Sequence, residues 1–135
     1  MEKIYNELKK LLKNAYCPYS NYPVAAIVET DQGTFPGVNV ENGSYPLGLC
    51  AERTAVCNAI TYGAKIIKNI YLITKNNGYT GTPCGGCRQV ISEFIDKKDG
   101  RIYCFNFDGT FAEYKIDDLL GHYWTPDSLE VSENE

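Results

Sequence analysis

The chain carries a single histidine, a single tryptophan and a single methionine in 135 residues. With one imidazole available, His122, a metal site must be built almost entirely from other ligands, and a lone histidine beside Tyr123 and Trp124 is ordinarily a packing or surface residue. No apolar run reaches the ~18 residues that suggest a membrane span. The stretch from Met1 to Ile4 enters an amphipathic pattern directly, without the apolar segment and small-residue cleavage site of a secretory signal. The expectation is a soluble, cytoplasmic protein without a membrane partner. Positive charge is also in short supply: 13 Lys and Arg against 17 Asp and Glu give a net charge of −4. That balance argues against binding a long nucleic acid, which needs several cations to neutralise phosphates, and favours a small substrate. Repeats, linkers and low-complexity blocks are absent as well. One domain over 1–135 is expected, ending in an acidic tail at about 127–135.

Cysteine, by contrast, is plentiful. Six in a short chain could form a disulfide framework, but the missing signal and the ample apolar content oppose it, since small disulfide-stapled domains usually lack a sufficient core. Cys17, Cys57 and Cys104 lie in apolar or aromatic surroundings without paired spacing, and are expected to be small buried hydrophobes.

Periodicity orders the elements. Ile4, Leu8, Leu11 and Leu12 recur at helical spacing, predicting a helix from Glu2 to Ala15 that stops before Pro18; its lysines belong to a solvated face. Tyr22 to Thr30 predicts a strand, turning at Asp31-Gln32-Gly33 into a second strand whose Pro36 cannot donate to a ladder, which places it at a sheet edge. Ala51 to Tyr62 is a small-residue buried helix stopped by Gly63. Ile66 to Thr74 is a nearly continuous apolar run suited to a central strand. A loop over Asn76 to Thr82 leads through Pro83 to a helix with Val90, Ile91, Phe94 and Ile95 inward, ending near 97–100. Strands at Arg101–Phe107 and Thr110–Ile116 follow, then a short helix N-capped by Asp117. This order predicts an α/β fold with helices packed on a mixed sheet.

The chemistry concentrates in two places. Cys50-Ala51-Glu52-Arg53 offers one thiolate with a carboxylate two residues on, and Pro83-Cys84-Gly85-Gly86-Cys87-Arg88 offers two thiolates on one face of a helical turn. Three soft ligands, rather than four, fit a catalytic zinc, which keeps a position open for water. An unliganded glutamate beside such a metal can shuttle protons. Both clusters open predicted helices, where free N–H groups and the helix dipole favour thiolates. Three thiolates outweigh the charge of Zn²⁺, so a nearby cation is needed; Arg53, one turn after Cys50, and Arg88 are the candidates.

Together, Asn39-Val40-Glu41-Asn42-Gly43-Ser44-Tyr45, Cys50-Ala51-Glu52-Arg53-Thr54-Ala55 and Pro83-Cys84-Gly85-Gly86-Cys87-Arg88-Gln89-Val90 resemble the small homotetrameric cytidine deaminases. The resemblance runs from Pro18 to Pro126. It implies a three-layer α/β/α sandwich around a five-stranded mixed sheet, with one Zn²⁺ per subunit on Cys50, Cys84 and Cys87. It also implies hydrolysis of cytidine or deoxycytidine to uridine or deoxyuridine plus ammonia in pyrimidine salvage, with Glu52 moving the protons. The Ala51 backbone would contact the base, and Asn39 and Glu41 would hold the ribose hydroxyls. Tyr22 matches a phenylalanine packed on the base, Tyr45 an aromatic at the subunit junction, and Trp124 a phenylalanine that reaches a neighbour's active site, so the tetramer would share its sites.

Departures from the family pattern bear on the pocket. Val24-Ala25-Ala26-Ile27 replaces a Val-Gly-Ala-Ala run, the Gly33–Gly37 hairpin is one residue short, and Leu119-Leu120-Gly121 replaces Leu-Leu-Pro. The first adds bulk along a strand that leads from the pocket. Tyr22 and Trp124 in place of two phenylalanines make the expected rim larger and more polar, which leaves room for a modified aminopyrimidine nucleoside of the blasticidin type, although Asn39 with Glu41 favours an ordinary ribose. A structural zinc module is the non-enzymatic alternative. The two classes part at Glu52, which a structural site does not need.

Overall fold

The computed structural model describes residues 1–75 and 80–129. Five strands, β1 (Val24–Thr30), β2 (Gly33–Val38), β3 (Ile67–Thr74), β4 (Arg101–Phe105) and β5 (Phe111–Tyr114), lie in the order β2-β1-β3-β4-β5. All neighbours are antiparallel except β3 and β4. The helices are α1 (Glu2–Leu12), α2 (Ala51–Thr61), α3 (Gly85–Ser92) and α4 (Ile116–Leu119), with single 3₁₀ turns at Tyr45–Leu47 and Pro126–Leu129. The three-layer sandwich on a five-stranded mixed sheet is the architecture expected, and Pro36 does sit on an edge strand, β2.

Alternating side chains divide the sheet into two faces. Ala25, Ile27, Tyr71, Ile73 and Phe105 pack with Leu8 and Leu12 of α1. Ala26, Val28, Ile70, Leu72, Ile102 and Cys104 pack with Ala55, Val56 and Ala59 of α2 and Ile91 of α3. Burying each large aliphatic side chain is worth roughly 1.5–3 kcal/mol. The α2 face is built from alanines, which lets this helix lie close to the sheet. At Gly37 the approach leaves no room for a side chain: a Cβ would collide with the Ala55 amide and lie 2.7 Å from the Ala51 carbonyl oxygen.

Topology then fixes where α2 and α3 begin. β2 and β3 run in the same direction with β1 between them, so α2 is a crossover joining the two; α3 likewise joins the parallel neighbours β3 and β4. Each crossover helix therefore starts at the carboxyl end of its strand. Both connections step the same way across the sheet, and their shared handedness puts the helices on one face. The N-termini of α2 and α3 meet at one end of the sheet.

Several boundaries differ from expectation. α1 ends at Leu12 rather than Ala15, well short of Pro18. The chain instead extends so that the Tyr16 amide donates to the Asn39 carbonyl at 3.0 Å and the Tyr16 carbonyl accepts from the Glu41 amide at 2.8 Å. Those two bonds satisfy backbone groups that a longer helix would have bonded internally. α3 stops at Ser92 because Ile67 draws the next residues alongside β3: its amide donates to the Phe94 carbonyl and its carbonyl accepts from the Asp96 amide, both at 2.9 Å. Ile116 opens α4 instead of closing a strand, and its cap is Lys115, not Asp117; the Lys115 amide donates to the Asp118 carboxylate at 2.9 Å. Of the three spare cysteines Cys104 alone is buried, whereas Cys17 is half-buried and Cys57 is exposed on α2. Residues 76–79 of the expected loop and 130–135 of the acidic tail lie outside the described residues.

The backbone contact at Gly37 yields a test. Gly37→Ala must push β2 off α2 and should cost about 3 kcal/mol or more, the upper range for overpacking. Urea denaturation would show the loss; a midpoint matching that of the unsubstituted chain would contradict the close approach.

Candidate active site

Cys50 is the N-cap of α2 and Cys84 the N-cap of α3, both in extended backbone conformation. The Cys84 Sγ accepts from the Cys87 amide at 3.4 Å, so one thiol of the cluster already serves as a helix cap. The Cys50 and Cys84 sulfurs are 3.8 Å apart, and all three sulfurs lie within 4.8 Å of one another. A tetrahedral zinc with Zn–S bonds of ~2.3 Å separates its sulfur ligands by about 3.8 Å. The donor set therefore fits one zinc ion with little rearrangement. Cys50, Cys84 and Cys87 are the metal-capable cluster among the described residues; His122 stands apart from it, exposed and with φ of 47°.

The electrostatics agree with that use. The Cys50 thiol is pushed down to about 5, first by its Cys87 neighbour and then by Arg53 and Cys84, against the opposing effect of burial. Cys87 moves the other way, because the Cys50 sulfur beside it, then burial and the Glu52 charge, disfavour its thiolate. Arg53 Nη2 donates to the Cys50 sulfur at 3.4 Å, and its Nε is buried without a hydrogen-bond partner among the described residues. Its guanidinium therefore stands beside one of the thiols. Arg88 does otherwise: its guanidinium donates to the carbonyls of Pro83 at 2.7 Å and Leu119 at 2.6 Å and to the Thr82 hydroxyl at 3.0 Å. It ties the α3 entry loop to the end of α4 rather than facing the thiols.

Glu52 is 5% exposed, and one carboxylate oxygen accepts from the Cys87 thiol at 3.3 Å. Burial raises its pKa, the usual response of a carboxyl removed from water. Burial beside the thiols thus favours the protonated carboxyl more than it is favoured at an exposed glutamate.

A cleft of about 510 Å³ opens over these groups, and Tyr22, Asn39, Glu41, Tyr45 and Ala51 line it together with Cys50, Glu52 and Cys84. Asn39 is buried and spans the strand opposite, with Oδ1 accepting from the Val24 amide at 2.9 Å and Nδ2 donating to the Tyr22 carbonyl at 2.8 Å. Glu41 accepts from the Tyr19 and Ser20 amides at 3.0 and 3.1 Å and from the Ser20 hydroxyl at 2.5 Å. These bonds, led by the one from the Ser20 hydroxyl, hold its carboxyl below the ordinary glutamate range. Tyr45 is exposed and meets Tyr19 edge-on, ring centroids 5.6 Å apart. Trp124 does not line the cleft of its own chain; it is half exposed, and its carbonyl accepts from Gln89 at 3.2 Å.

Two expectations about the cleft need revising. Ile27 and Ala25 face α1 on the opposite side of the sheet, so their added bulk is absorbed there and does not narrow the pocket. Conversely, Ser20, Leu49 and Thr82 line the cleft although the sequence reading gave them no role. Neither Leu49 nor Ser20 carries a local signal that marks it as a ligand contact.

The fold and site define a class: an α/β protein with a metal-capable cluster of three thiols, two of them at helix N-caps, and a buried carboxyl group beside them. The family model for the cytidine and deoxycytidylate deaminase zinc-binding region matches residues 1–104. A cytidine deaminase of Mycoplasma genitalium is 37% identical over 120 residues, covering 89% of this chain and 92% of its own length. One from Sporosarcina psychrophila is 36% identical over 130 residues, covering 96% and 94%. The crystal structure of cytidine deaminase from Burkholderia pseudomallei superposes with a TM-score of 0.83 at 34% identity, over 91% of this chain and 98% of that one. The chain belongs to the zinc-dependent cytidine and deoxycytidylate deaminase family.

The depressed Cys50 value sets a test on the metal-free protein. Above about pH 5 Cys50 is already thiolate, so its alkylation by iodoacetamide should change little between about pH 6 and 8, where an ordinary thiol gains roughly tenfold per unit. Zn²⁺ should block the reaction. A rate climbing tenfold per unit at Cys50 would contradict the assignment.

Proposed function

We infer that the chain hydrolyses cytidine and deoxycytidine to uridine and deoxyuridine with release of ammonia. The observation that carries this reading is the buried Glu52 carboxylate 3.3 Å from Cys87, within a three-thiol cluster at the floor of a nucleoside-sized cleft. The names of the related proteins support the same substrate class.

Cys50, Cys84 and Cys87 would hold Zn²⁺, which when bound supplies the Lewis acidity that lets water lose a proton near neutral pH. Glu52 would take that proton and give it to N3 of the base as the water oxygen bonds to C4. It would then take the second proton of the same oxygen and pass it to the exocyclic amine. The C4–N bond breaks, ammonia leaves and a carbonyl remains, so every proton is accounted for. Burial keeps bulk water from competing for the proton on Glu52. Arg53 would offset thiolate charge, so that the metal stays electrophilic. The Ala51 backbone would bond the base, Tyr22 would pack on it, and Asn39 and Glu41 would bind sugar hydroxyls. A carboxylate accepts and an amide both donates and accepts, which suits hydroxyls of either polarity.

The finer assignment is a cytoplasmic enzyme of pyrimidine salvage, working as a homotetramer in which Tyr45 and Trp124 serve sites shared between subunits. Family resemblance supports the tetramer, as does the placement of both side chains: exposed in the single chain, with Trp124 unused by its own cleft. The acidic charge supports a small nucleoside over a polynucleotide.

Glu52→Gln should retain one Zn²⁺ per chain while kcat for cytidine falls by about 10³-fold or more, at the strong end of general acid–base effects. Ammonia release across cytidine, deoxycytidine, the nucleotide and the free base provides the substrate test; no turnover of either nucleoside by zinc-loaded protein would overturn the reading. Trp124→Ala should lower kcat/KM roughly tenfold without loss of zinc, a typical cost of one buried contact. Sedimentation of a stable, fully active monomer would sink the shared-site role.

A further inference from the structure

The hydroxyl of Ser20 connects two of the groups assigned to the substrate. It donates to Glu41 Oε2 at 2.5 Å and accepts from the Tyr22 amide at 3.1 Å. The Ser20 amide donates to the other oxygen of the same carboxylate at 3.1 Å, alongside the Tyr19 amide at 3.0 Å. Asn21, between Ser20 and Tyr22, has φ of 55°, a left-handed conformation that bends the backbone so that the hydroxyl reaches the Tyr22 amide. Ser20 itself lines the cleft with Glu41 and Tyr22.

We propose that Ser20 is a positioning residue for sugar recognition: its hydroxyl locks Glu41 and Tyr22 into one hydrogen-bonded unit and thereby sets the direction in which Glu41 accepts a nucleoside hydroxyl. The inference rests on the reading of Glu41 as a sugar contact. A carboxylate has about four acceptor positions. Oε1 takes two backbone amides and Oε2 takes the Ser20 hydroxyl, so the position left for a ligand is on Oε2, next to Ser20. An ionised carboxylate only accepts, so the natural partner of that remaining position is a sugar hydroxyl that donates. Without the Ser20 hydroxyl, Oε1 stays on the two amides but Oε2 loses the partner that fixes it, and the last torsion, broad in glutamate, lets Oε2 swing about that anchor. A substrate would then bind a less ordered partner and lose affinity.

The test is a double-mutant cycle on zinc-loaded protein. Ser20→Ala should raise KM for cytidine about tenfold, with kcat changed by less than about twofold, the signature of lost uniform binding. Ser20→Thr, which keeps the hydroxyl, should restore KM. In a Glu41→Gln background, adding Ser20→Ala should raise KM by less than about twofold, because the two residues act as one unit. If Ser20→Ala does not fold, Ser20→Gly removes the same hydroxyl and carries the same expectation. An unchanged KM in the single variant, failure of Thr to restore it, or fully additive losses in the Glu41→Gln background would each overturn the proposal, the last by marking Ser20 as a turn residue only. Should the unsubstituted zinc-loaded chain release no ammonia from any cytosine nucleoside, the deaminase reading fails and this inference falls with it; normal turnover with an unmoved Ser20→Ala defeats this inference alone.

Discussion

Everything in the site depends on two helices starting side by side. β2-α2-β3 and β3-α3-β4 are successive crossovers that step the same way across one sheet, so α2 and α3 emerge at the same end and on the same face. The alanine face of α2 and the missing side chain at Gly37 bring α2 onto β1 and β2 closely enough to hold that meeting point. Once the two N-termini are side by side, Cys50 and Cys84 take their cap positions, and Cys87 follows three residues into α3. Three thiols at this spacing are costly to hold without a counter-charge. The helix termini, Arg53 and the metal each offset part of that cost.

The same geometry gives neighbouring residues opposite tasks. Cys50 is driven toward the thiolate by its Cys87 and Arg53 neighbours and Cys87 away from it by the Cys50 sulfur and by burial, while Glu52, buried beside Cys87, is shifted toward the protonated form. Burial disfavours the charged form of Glu52 and moves it in that direction. Glu41, a few residues earlier in the chain, shows the contrary solution. Three donors from the Tyr19–Ser20 turn hold it firmly ionised, which suits an acceptor that should not change state during a reaction. Two glutamates eleven positions apart thus differ because one is enclosed by apolar groups and the other by donors.

The remaining wall of the cleft is a loop-to-loop seam. Tyr16 bonds Asn39 and Glu41 through its backbone, Asn39 clamps Tyr22 and Val24, and Glu41 clamps Tyr19 and Ser20. The seam goes with the early end of α1: a turn at Lys13 and Asn14 leads the chain to Tyr16, where the seam begins. It also shows that Asn39 is a structural member as well as a candidate ligand, since one carboxamide proton and one backbone-facing oxygen are already committed in the free protein.

Local sequence determined which thiols could cluster, the glutamate offered beside them and the order of elements, because these follow from short spacings and hydrophobic periods. Glu52 meets the cluster through Cys87, 35 positions along the chain, but Cys84 and Cys87 are three residues apart, so secondary structure alone brings that pair together. The edge position of β2 was legible in Pro36 for the same reason. What the tertiary structure decided was everything resting on contacts distant in the chain: the early ends of α1 and α3, the turning of Arg88 toward Leu119, the burial of Ile27 against α1 instead of at the pocket, and the role of Ser20. None of these has a short-range signature. Arg88 follows Cys87 directly and so looked like a partner of the thiols, but the side chain's direction is set by carbonyls from Pro83 and Leu119 that only folding brings within reach. Spacing chose the chemistry, and the packing of one chain segment on another chose the surroundings in which it works.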